Sequence, residues 1–310
     1  MILGHELQKE YFKKALKKGL AHAYLFYGPA HVGKLTFAKT IAKALFCKNA
    51  ALAPEKICDL CRDCRRVEEN THPSLTLLDL KHTLLSKKDE RKNIPIEDIS
   101  ELKRLFSYAP SRGEWRIAII NEAEKMSLDA ANSFLKLLEE PGGYSLFILI
   151  TSSPDAVIST IASRAIPIRF SRVADATLLK YLEEKIPDIS RRESILSFAL
   201  GYPGNMLRLC EEKGLLEAEA KKLASFQSAS KRGIPELFRI SANVSGDPEL
   251  RREFSDFLIR SLRDSLFQNP ASATVLKRVL EIAYLLESTN INPRLALDTM
   301  ALHAHSALIK

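Results

Sequence analysis

The chain has 310 residues, of which 46% are hydrophobic and 27% charged, the proportions of an ordinary water-soluble protein of two or three domains. No apolar run reaches the ~18 residues of a membrane span, and the amino terminus lacks a signal-peptide pattern, so we expect a cytoplasmic protein without membrane contact. Lys and Arg number 46 against 38 Asp and Glu, and this net charge of +8 is compatible with a nucleic-acid partner without establishing one.

The first predicted elements are a strand over residues 24–27 and a helix over residues 35–46, joined by a glycine-rich loop. Residues 28–36 read Gly-Pro-Ala-His-Val-Gly-Lys-Leu-Thr, close to the pattern of phosphate-binding loops. In such loops backbone N–H groups surround phosphate oxygens at a helix amino terminus, and the lysine contacts the β- and γ-phosphates. The sequence therefore predicts a nucleotide-binding-type site whose residues include Gly28, Gly33 and Lys34.

One position of the loop departs from the pattern, and it is the position that would bind Mg²⁺. The final Ser or Thr of the loop normally supplies a hydroxyl to the ion. Here Leu35 occupies that position, and the next hydroxyl belongs to Thr36. We therefore expect ATP and Mg²⁺ to bind weakly or not at all, with Thr36 as a candidate substitute ligand.

Four of the five cysteines follow this helix with the spacing C-x10-C-x2-C-x2-C: Cys47, Cys58, Cys61 and Cys64. A cytoplasmic protein keeps its thiols reduced, so disulfides are not expected. Four thiolates at this spacing suit tetrahedral Zn²⁺ in a closed structural site without a catalytic position. The sequence predicts a zinc knuckle over residues 47–64; fortuitous clustering of reduced thiols is the alternative.

Strands are next predicted at residues 75–80 and 116–121, separated by an exposed charged stretch over 81–93 and a helix over 97–108. In many nucleotide hydrolases a strand such as the second one ends in an Asp that holds Mg²⁺, followed by a Glu that polarises water. Asn121 replaces that Asp here, while Glu122 is retained as a candidate vestigial base. A buried strand followed by a polar turn is the alternative interpretation of this segment alone.

The strand pattern continues to residue 170 and then stops. Further strands are predicted at 146–151 and 166–170, with a helix over 128–140, and this β–α alternation predicts a mostly parallel sheet covered on both faces. From residue 176 onward the pattern is helical. We place boundaries near residues 175 and 222, which predicts three domains: 1–175, 176–222 and 223–310.

Several short segments carry a further, more specific signal. They are His22 to Pro29 after Gly4, the cysteine knuckle with His72-Pro73, Ala130-Ala131-Asn132, Leu138-Glu139-Glu140-Pro141, Ser163-Arg164 and the turn from Gly201 to Asn205. Over residues 1 to about 210 the chain resembles the bacterial clamp-loader AAA+ subunits. The resemblance implies an α/β fold: an AAA+ P-loop domain with a parallel sheet and an inserted zinc knuckle, then a helical lid and an all-α carboxyl-terminal collar domain.

The resemblance also implies partners and residue roles. Members of this family, among them the delta and gamma/tau subunits, form five-subunit rings that use ATP to open a sliding clamp and load it on primer-template DNA. Arg164 matches the arginine that reaches the γ-phosphate of a neighbouring subunit, although Ala165 replaces the Cys of that motif. Thr151 falls at the position of a polar sensor residue, and Gly204 replaces an arginine by which active subunits contact nucleotide.

Three departures, at Leu35, Asn121 and Gly204, thus weaken the chain's own site, while Arg164 is retained. This asymmetry predicts a stator subunit that assists a neighbour's ATP hydrolysis without being an active ATPase. One alternative is an ATP-hydrolysing motor subunit of the gamma/tau type, in which Thr36 or water replaces the lost hydroxyl. Another is a zinc-containing nucleic-acid-binding protein with a vestigial phosphate loop, favoured by the basic knuckle and the net charge.

Overall fold

The computed structural model describes residues 2–50, 52, 54–80, 93–107, 114–266, 272–289 and 291–308. The chain divides into two compact units, Met1–Ser171 and Arg172–Lys310. Residues 81–92 of the predicted charged stretch lie outside the described residues. Among the helices that are described, none is long and apolar enough to cross a membrane.

The first unit contains a five-stranded sheet and six described α-helices. The strands are β1 (Ala23–Tyr27), β2 (Leu75–Leu78), β3 (Arg116–Ile120), β4 (Ser145–Thr151) and β5 (Ile166–Arg169). The helices are α1 (Glu6–Lys18), α2 (Lys34–Phe46), α3 (Arg62–Glu68), α4 (Ile96–Ser107), α5 (Leu128–Glu139) and α6 (Ser159–Ala162). The strands pair in parallel in the order β2-β3-β4-β1-β5. The predicted parallel α/β arrangement is confirmed.

Alternate residues of β1 enter two different layers of the core, as the period of two in a strand requires. Leu25 joins the apolar cluster formed with α4 and α5. Phe26 joins an aromatic cluster with Phe12 of α1, Phe37 of α2 and Phe170, whose contacting ring centroids lie 5.0 to 6.0 Å apart. Because both faces are buried, β1 is apolar throughout, and the loop that follows it starts from a rigid strand.

The strand register determines which predicted site residues share an edge of the sheet. Tyr27 pairs with Thr151, and Ile120 pairs with Leu149, so the phosphate loop and the segment after β3 both lie at the carboxyl edge. Parallel α/β sheets bind their ligands at this edge. Ile166 pairs with Tyr24 at the other end of β1, so the residues before β5 lie at the amino edge.

All the regular secondary structure that is described in the second unit is helical, as predicted. Its helices are α7 (Asp175–Lys185), α8 (Ile189–Ala199), α9 (Pro203–Glu211), α10 (Leu215–Ser230), α11 (Ile234–Val244), α12 (Pro248–Leu266), α13 (Ser272–Ser288) and α14 (Pro293–Leu308). Helix α10 runs through residue 222, where the sequence places a boundary. The division of this unit into a lid and a collar therefore stays a prediction.

Candidate functional site

The phosphate loop is anchored between β1 and the end of β5. The Phe170 N–H donates to the Tyr27 carbonyl over 2.8 Å, which brings the backbone of Phe170 against Gly28. A Cβ at Gly28 would lie 2.0 Å from the Phe170 carbonyl oxygen, and the φ angle of Gly28 is +135°. Only glycine fits this position, because a side chain has neither the space nor the backbone conformation.

Lys34 is the first residue of α2 and is buried, with 7% of its surface exposed. Its Nζ donates to the carbonyls of Gly28 at 2.5 Å and of Pro29 at 2.6 Å. Gly33 caps the helix with a φ of +99°. The loop therefore supplies the two features that a phosphate site needs, a helix amino terminus and an ammonium group beside it.

His5 is a residue of this site that the sequence analysis missed. Its Nε2–H donates to the Val32 carbonyl of the phosphate loop over 2.8 Å, since a carbonyl can only accept, and its ring lies edge-on to Phe170. Burial lowers the pKa of His5 below its ordinary 6.5. His5 and Val32 are 27 residues apart in the chain, so no local sequence pattern predicts their contact. The nearby residue that the sequence analysis did single out is Gly4, which precedes His5.

Thr36 lies on the face of α2 that is turned toward the cysteines. It is exposed and lines a groove with residues of α2, α3 and the segment between them: Thr40, Lys43, Ile57, Asp59, Arg65, Glu68 and Glu69. Leu35, the residue before Thr36 in the same turn of α2, is half-buried. A role for Thr36 as a substitute Mg²⁺ ligand stays a prediction.

The sheet brings Asn121, Glu122 and Thr151 to the edge that carries the phosphate loop. The Asn121 N–H donates to the Leu78 carbonyl over 2.8 Å, which extends the β2–β3 ladder by one bond. Glu122 has a left-handed backbone with a φ of 56°. Thr151 is buried, and its Oγ1 accepts from the Ser153 N–H over 3.0 Å. A neutral amide thus stands at the end of β3, where the hydrolase pattern has a carboxylate.

The four predicted metal ligands come together in one cluster. All four Sγ atoms of Cys47, Cys58, Cys61 and Cys64 lie within 4.8 Å of one another, with separations of 3.6 Å, 3.9 Å and 4.0 Å for three of the pairs. A tetrahedral Zn²⁺ with Zn–S bonds near 2.3 Å requires sulfur separations of about 3.8 Å, whereas a disulfide requires about 2.05 Å. The geometry fits a four-thiolate metal site and contains no disulfide.

The backbone around the cluster favours thiolates. The Cys61 N–H lies 3.3 Å from Cys58 Sγ, and the Cys64 N–H lies 3.4 Å from Cys61 Sγ. Hydrogen bonds from the N–H groups of Leu60 and Cys61 lower the pKa of the Cys58 thiol to about 6. Burial raises the pKa of the Cys64 thiol. A bound cation would offset that cost, because metal ligation requires the deprotonated sulfur.

Lys43 ties the helix of the phosphate loop to the cysteine cluster. Its Nζ lies 2.6 Å from Asp59 Oδ1 and 2.8 Å from Glu68 Oε2, while the side chain is 11% exposed. Burial lowers the pKa of Lys43, but hydrogen bonds to these two carboxylates outweigh burial and raise it overall. Cys47 follows one turn later at the end of α2. The cluster and the loop thus share one rigid helix.

Arg164 lies between α6 and β5, at the amino edge of the sheet. Its Nη2 donates to Glu139 Oε1 over 2.8 Å and its Nη1 to the Thr160 carbonyl over 3.0 Å, and 38% of the side chain is exposed. Arg164 therefore presents a guanidinium at the surface, on the sheet edge opposite the phosphate loop.

Gly204 lies in the second unit, where it is the second residue of α9. On the same helix, Arg208 Nε pairs with Glu212 at 3.0 Å.

A phosphate loop after β1, the strand order β2-β3-β4-β1-β5 and a helical second unit define the chain as an AAA+ P-loop protein. The family model described as DNA polymerase III, delta subunit matches residues 4–174. The chain belongs to this family, which confirms the clamp-loader resemblance.

Curated relatives point to delta′ subunits within it. DNA polymerase III subunit delta′ of Pseudomonas aeruginosa is 30% identical over 216 residues, covering 69% of this chain and 63% of that protein. Subunit delta′ of Bacillus subtilis is 36% identical over 148 residues, covering 48% and 41%. Subunit tau of Bacillus subtilis is 28% identical over 229 residues, covering 67% and 38%. The aligned part spans less than two thirds of each relative.

Proposed function

We propose that the chain is a stator subunit of the delta′ type in a DNA polymerase III clamp loader. In this role it donates Arg164 to ATP bound by a neighbouring subunit and is not itself an active ATPase. Its partners would be delta and gamma/tau subunits in a five-subunit cytoplasmic ring, which loads the sliding clamp on primer-template DNA. Residues 1–175 would be the AAA+ domain, 176–222 the lid and 223–310 the collar.

The observation that carries the proposal is an asymmetry between the two edges of the sheet. At the carboxyl edge, Leu35 and Asn121 stand where a hydroxyl and a carboxylate would hold Mg²⁺. Without these ligands the metal that neutralises developing phosphoryl charge is poorly bound. At the amino edge, by contrast, the expected arginine is present as Arg164, and its guanidinium is exposed.

Strand geometry supports action of Arg164 on a neighbour rather than on its own loop. Arg164 precedes Ile166, which pairs with Tyr24, whereas the loop begins after Tyr27. Three strand residues span ~10 Å, and Arg164 and the loop lie beyond the two ends of that span. A guanidinium that reaches across a subunit interface stabilises the charge that develops on the transferred phosphoryl group.

The cysteine cluster is proposed to hold one structural Zn²⁺. Four sulfur ligands leave no open position for substrate, so the ion would stabilise the fold without taking part in catalysis. Its position at the end of α2 means that metal binding would support the same helix that starts at Lys34.

The test is Arg164→Ala in a complex reconstituted with the ATPase subunits, the clamp and primed DNA. We expect DNA-stimulated ATP turnover to fall at least about 100-fold, a threshold set tenfold below the 10³–10⁵ effect of arginine fingers. Size-exclusion chromatography should show that the complex still assembles. Arg104→Ala is the matched control, since Arg104 is also an exposed arginine paired with a glutamate, Glu101, in the same unit. Normal turnover in the Arg164 variant would refute the stator role.

A motor subunit of the gamma/tau type is the second candidate. It is favoured by the buried Lys34 beside the loop carbonyls, by Glu122 at the carboxyl edge and by the similarity to tau. Glu122→Gln should then stop turnover at this chain's own site, because an amide cannot act as a general base. An unchanged rate in that variant would reject the motor role.

A further inference from the structure

We propose that Glu139 is the positioning residue for Arg164. The inference rests on the proposed function, because it concerns how the chain holds the guanidinium that it would present to a neighbour. Glu139 is the last residue of α5, and Arg164 follows α6. Residues of two separate helices, α5 and α6, therefore bind the Arg164 side chain.

The contacts leave the guanidinium oriented and still able to bind phosphate. Nη2 donates to Glu139 Oε1 at 2.8 Å, and Nη1 donates to the Thr160 carbonyl at 3.0 Å. A guanidinium has five N–H donors in a planar fork, and these two bonds engage one donor on each terminal nitrogen. The remaining donors can approach an oxyanion while both internal bonds persist, so Glu139 need not release Arg164 for it to act.

The position of Glu139 is unfavourable for a carboxylate unless a cation lies beside it. Helix α5 ends at Glu139, and a negative charge at a helix carboxyl terminus is repelled by the helix dipole. The preceding residue, Leu138, is buried in the core together with Phe134, which fixes the end of the helix. Arg164 neutralises the carboxylate, and the anchored helix in turn fixes the direction of the guanidinium.

Solvent exposure sets the expected size of the effect. Arg164 is 38% and Glu139 51% exposed, and ion pairs of this kind are weak because water and salt screen them. Losing the orientation should therefore slow turnover about two- to fivefold, which corresponds to ~0.4–1 kcal/mol of transition-state stabilisation. This is far less than the loss of the arginine itself.

The experiment measures ATP turnover of the reconstituted complex with Glu139→Ala, Glu139→Gln and the double variant Glu139→Ala/Arg164→Ala. We expect kcat to fall two- to fivefold in Glu139→Ala with KM for ATP unchanged. Glu139→Gln should lose less, because its amide oxygen still accepts from Nη2. The double variant should be no slower than Arg164→Ala alone. Glu140→Ala is the matched control: it is exposed and adjacent, and its carboxylate makes no ion pair with the described residues.

The outcomes separate the two proposals. If Arg164→Ala abolishes turnover but Glu139→Ala leaves it unchanged or raises it, the positioning role is wrong and the stator role stands. A further loss in the double variant beyond Arg164→Ala would also overturn it, because Glu139 would then act by another route. If Arg164→Ala has no effect, the proposed function fails, and the inference fails with it.

Discussion

Gly28 and Phe170 approach so closely that a Cβ on Gly28 would lie 2.0 Å from the Phe170 carbonyl oxygen. The first glycine of the phosphate loop is therefore required by the packing of β5 on β1, whether or not a nucleotide binds. A chain that has lost the Mg²⁺ ligands would still keep this glycine. The presence of Gly28 is therefore strong evidence for the fold and only weak evidence for ATP hydrolysis.

Gly28→Ala should destabilise the first unit strongly, by more than about 2 kcal/mol, because it combines a backbone clash with a strained φ. Gly33→Ala should cost less, about 1–2 kcal/mol, since its φ of +99° is also strained but a Cβ there meets nothing within 4 Å. Denaturant unfolding followed by fluorescence of Trp115, the one tryptophan of the chain, measures both. Equal losses in the two variants would contradict the packing argument.

The purified chain should bind ATP weakly or not at all, without saturation below millimolar concentration, and Mg²⁺ should not strengthen the binding, because Leu35 and Asn121 supply no metal ligand. Isothermal titration calorimetry measures this directly. The double variant Leu35→Thr/Asn121→Asp restores both ligands and should gain Mg²⁺-dependent binding. Micromolar, Mg²⁺-dependent binding by the unaltered chain would favour the motor role instead.

The chain purified with Zn²⁺ should contain one ion, and Cys58→Ser should lose it. A strong chelator should lower the melting temperature of the unaltered chain and leave that of the variant unchanged, because the metal stabilises only the fold that binds it. Cys210→Ser is the control, since Cys210 lies in the second unit outside the cluster. Elemental analysis showing equal zinc in the Cys58 variant would disprove the assignment.

His5 should make the first unit less stable in mild acid. The pKa of His5 in the folded chain lies below 6.5, so the unfolded chain binds the proton more readily. The stability that neutral His5 contributes to the folded state is therefore complete above pH 6.5 and declines as the pH falls below that value. Unfolding monitored through Trp115 at pH 8 and pH 5.5 measures the loss. His5→Gln keeps an N–H donor for the Val32 carbonyl without titrating, and its pH dependence should be smaller; an identical dependence would exclude His5 as the cause.

Local patterns in the sequence were enough to predict the strands, three helices of the first unit and the motifs. The five strands and the helices α2, α4 and α5 lie within two residues of their predicted positions, because apolar runs, glycines and prolines act over a few neighbouring residues. The four cysteines lie within 18 residues, and their spacing is itself the signal for a metal. Helices α1, α3 and α6 were not predicted; α1 buries only Phe12 and Leu16, which is a weak periodic pattern.

Contacts between distant parts of the chain needed the folded structure. The pairing of Arg164 with Glu139 spans 25 residues and that of His5 with Val32 spans 27, and neither has a sequence period. The register that pairs Ile166 with Tyr24 also comes from the folded structure, and it places Arg164 and the phosphate loop at opposite edges of the sheet. Sequence patterns report backbone preference and burial along the chain, whereas side-chain partners depend on where the register and the core bring remote segments together.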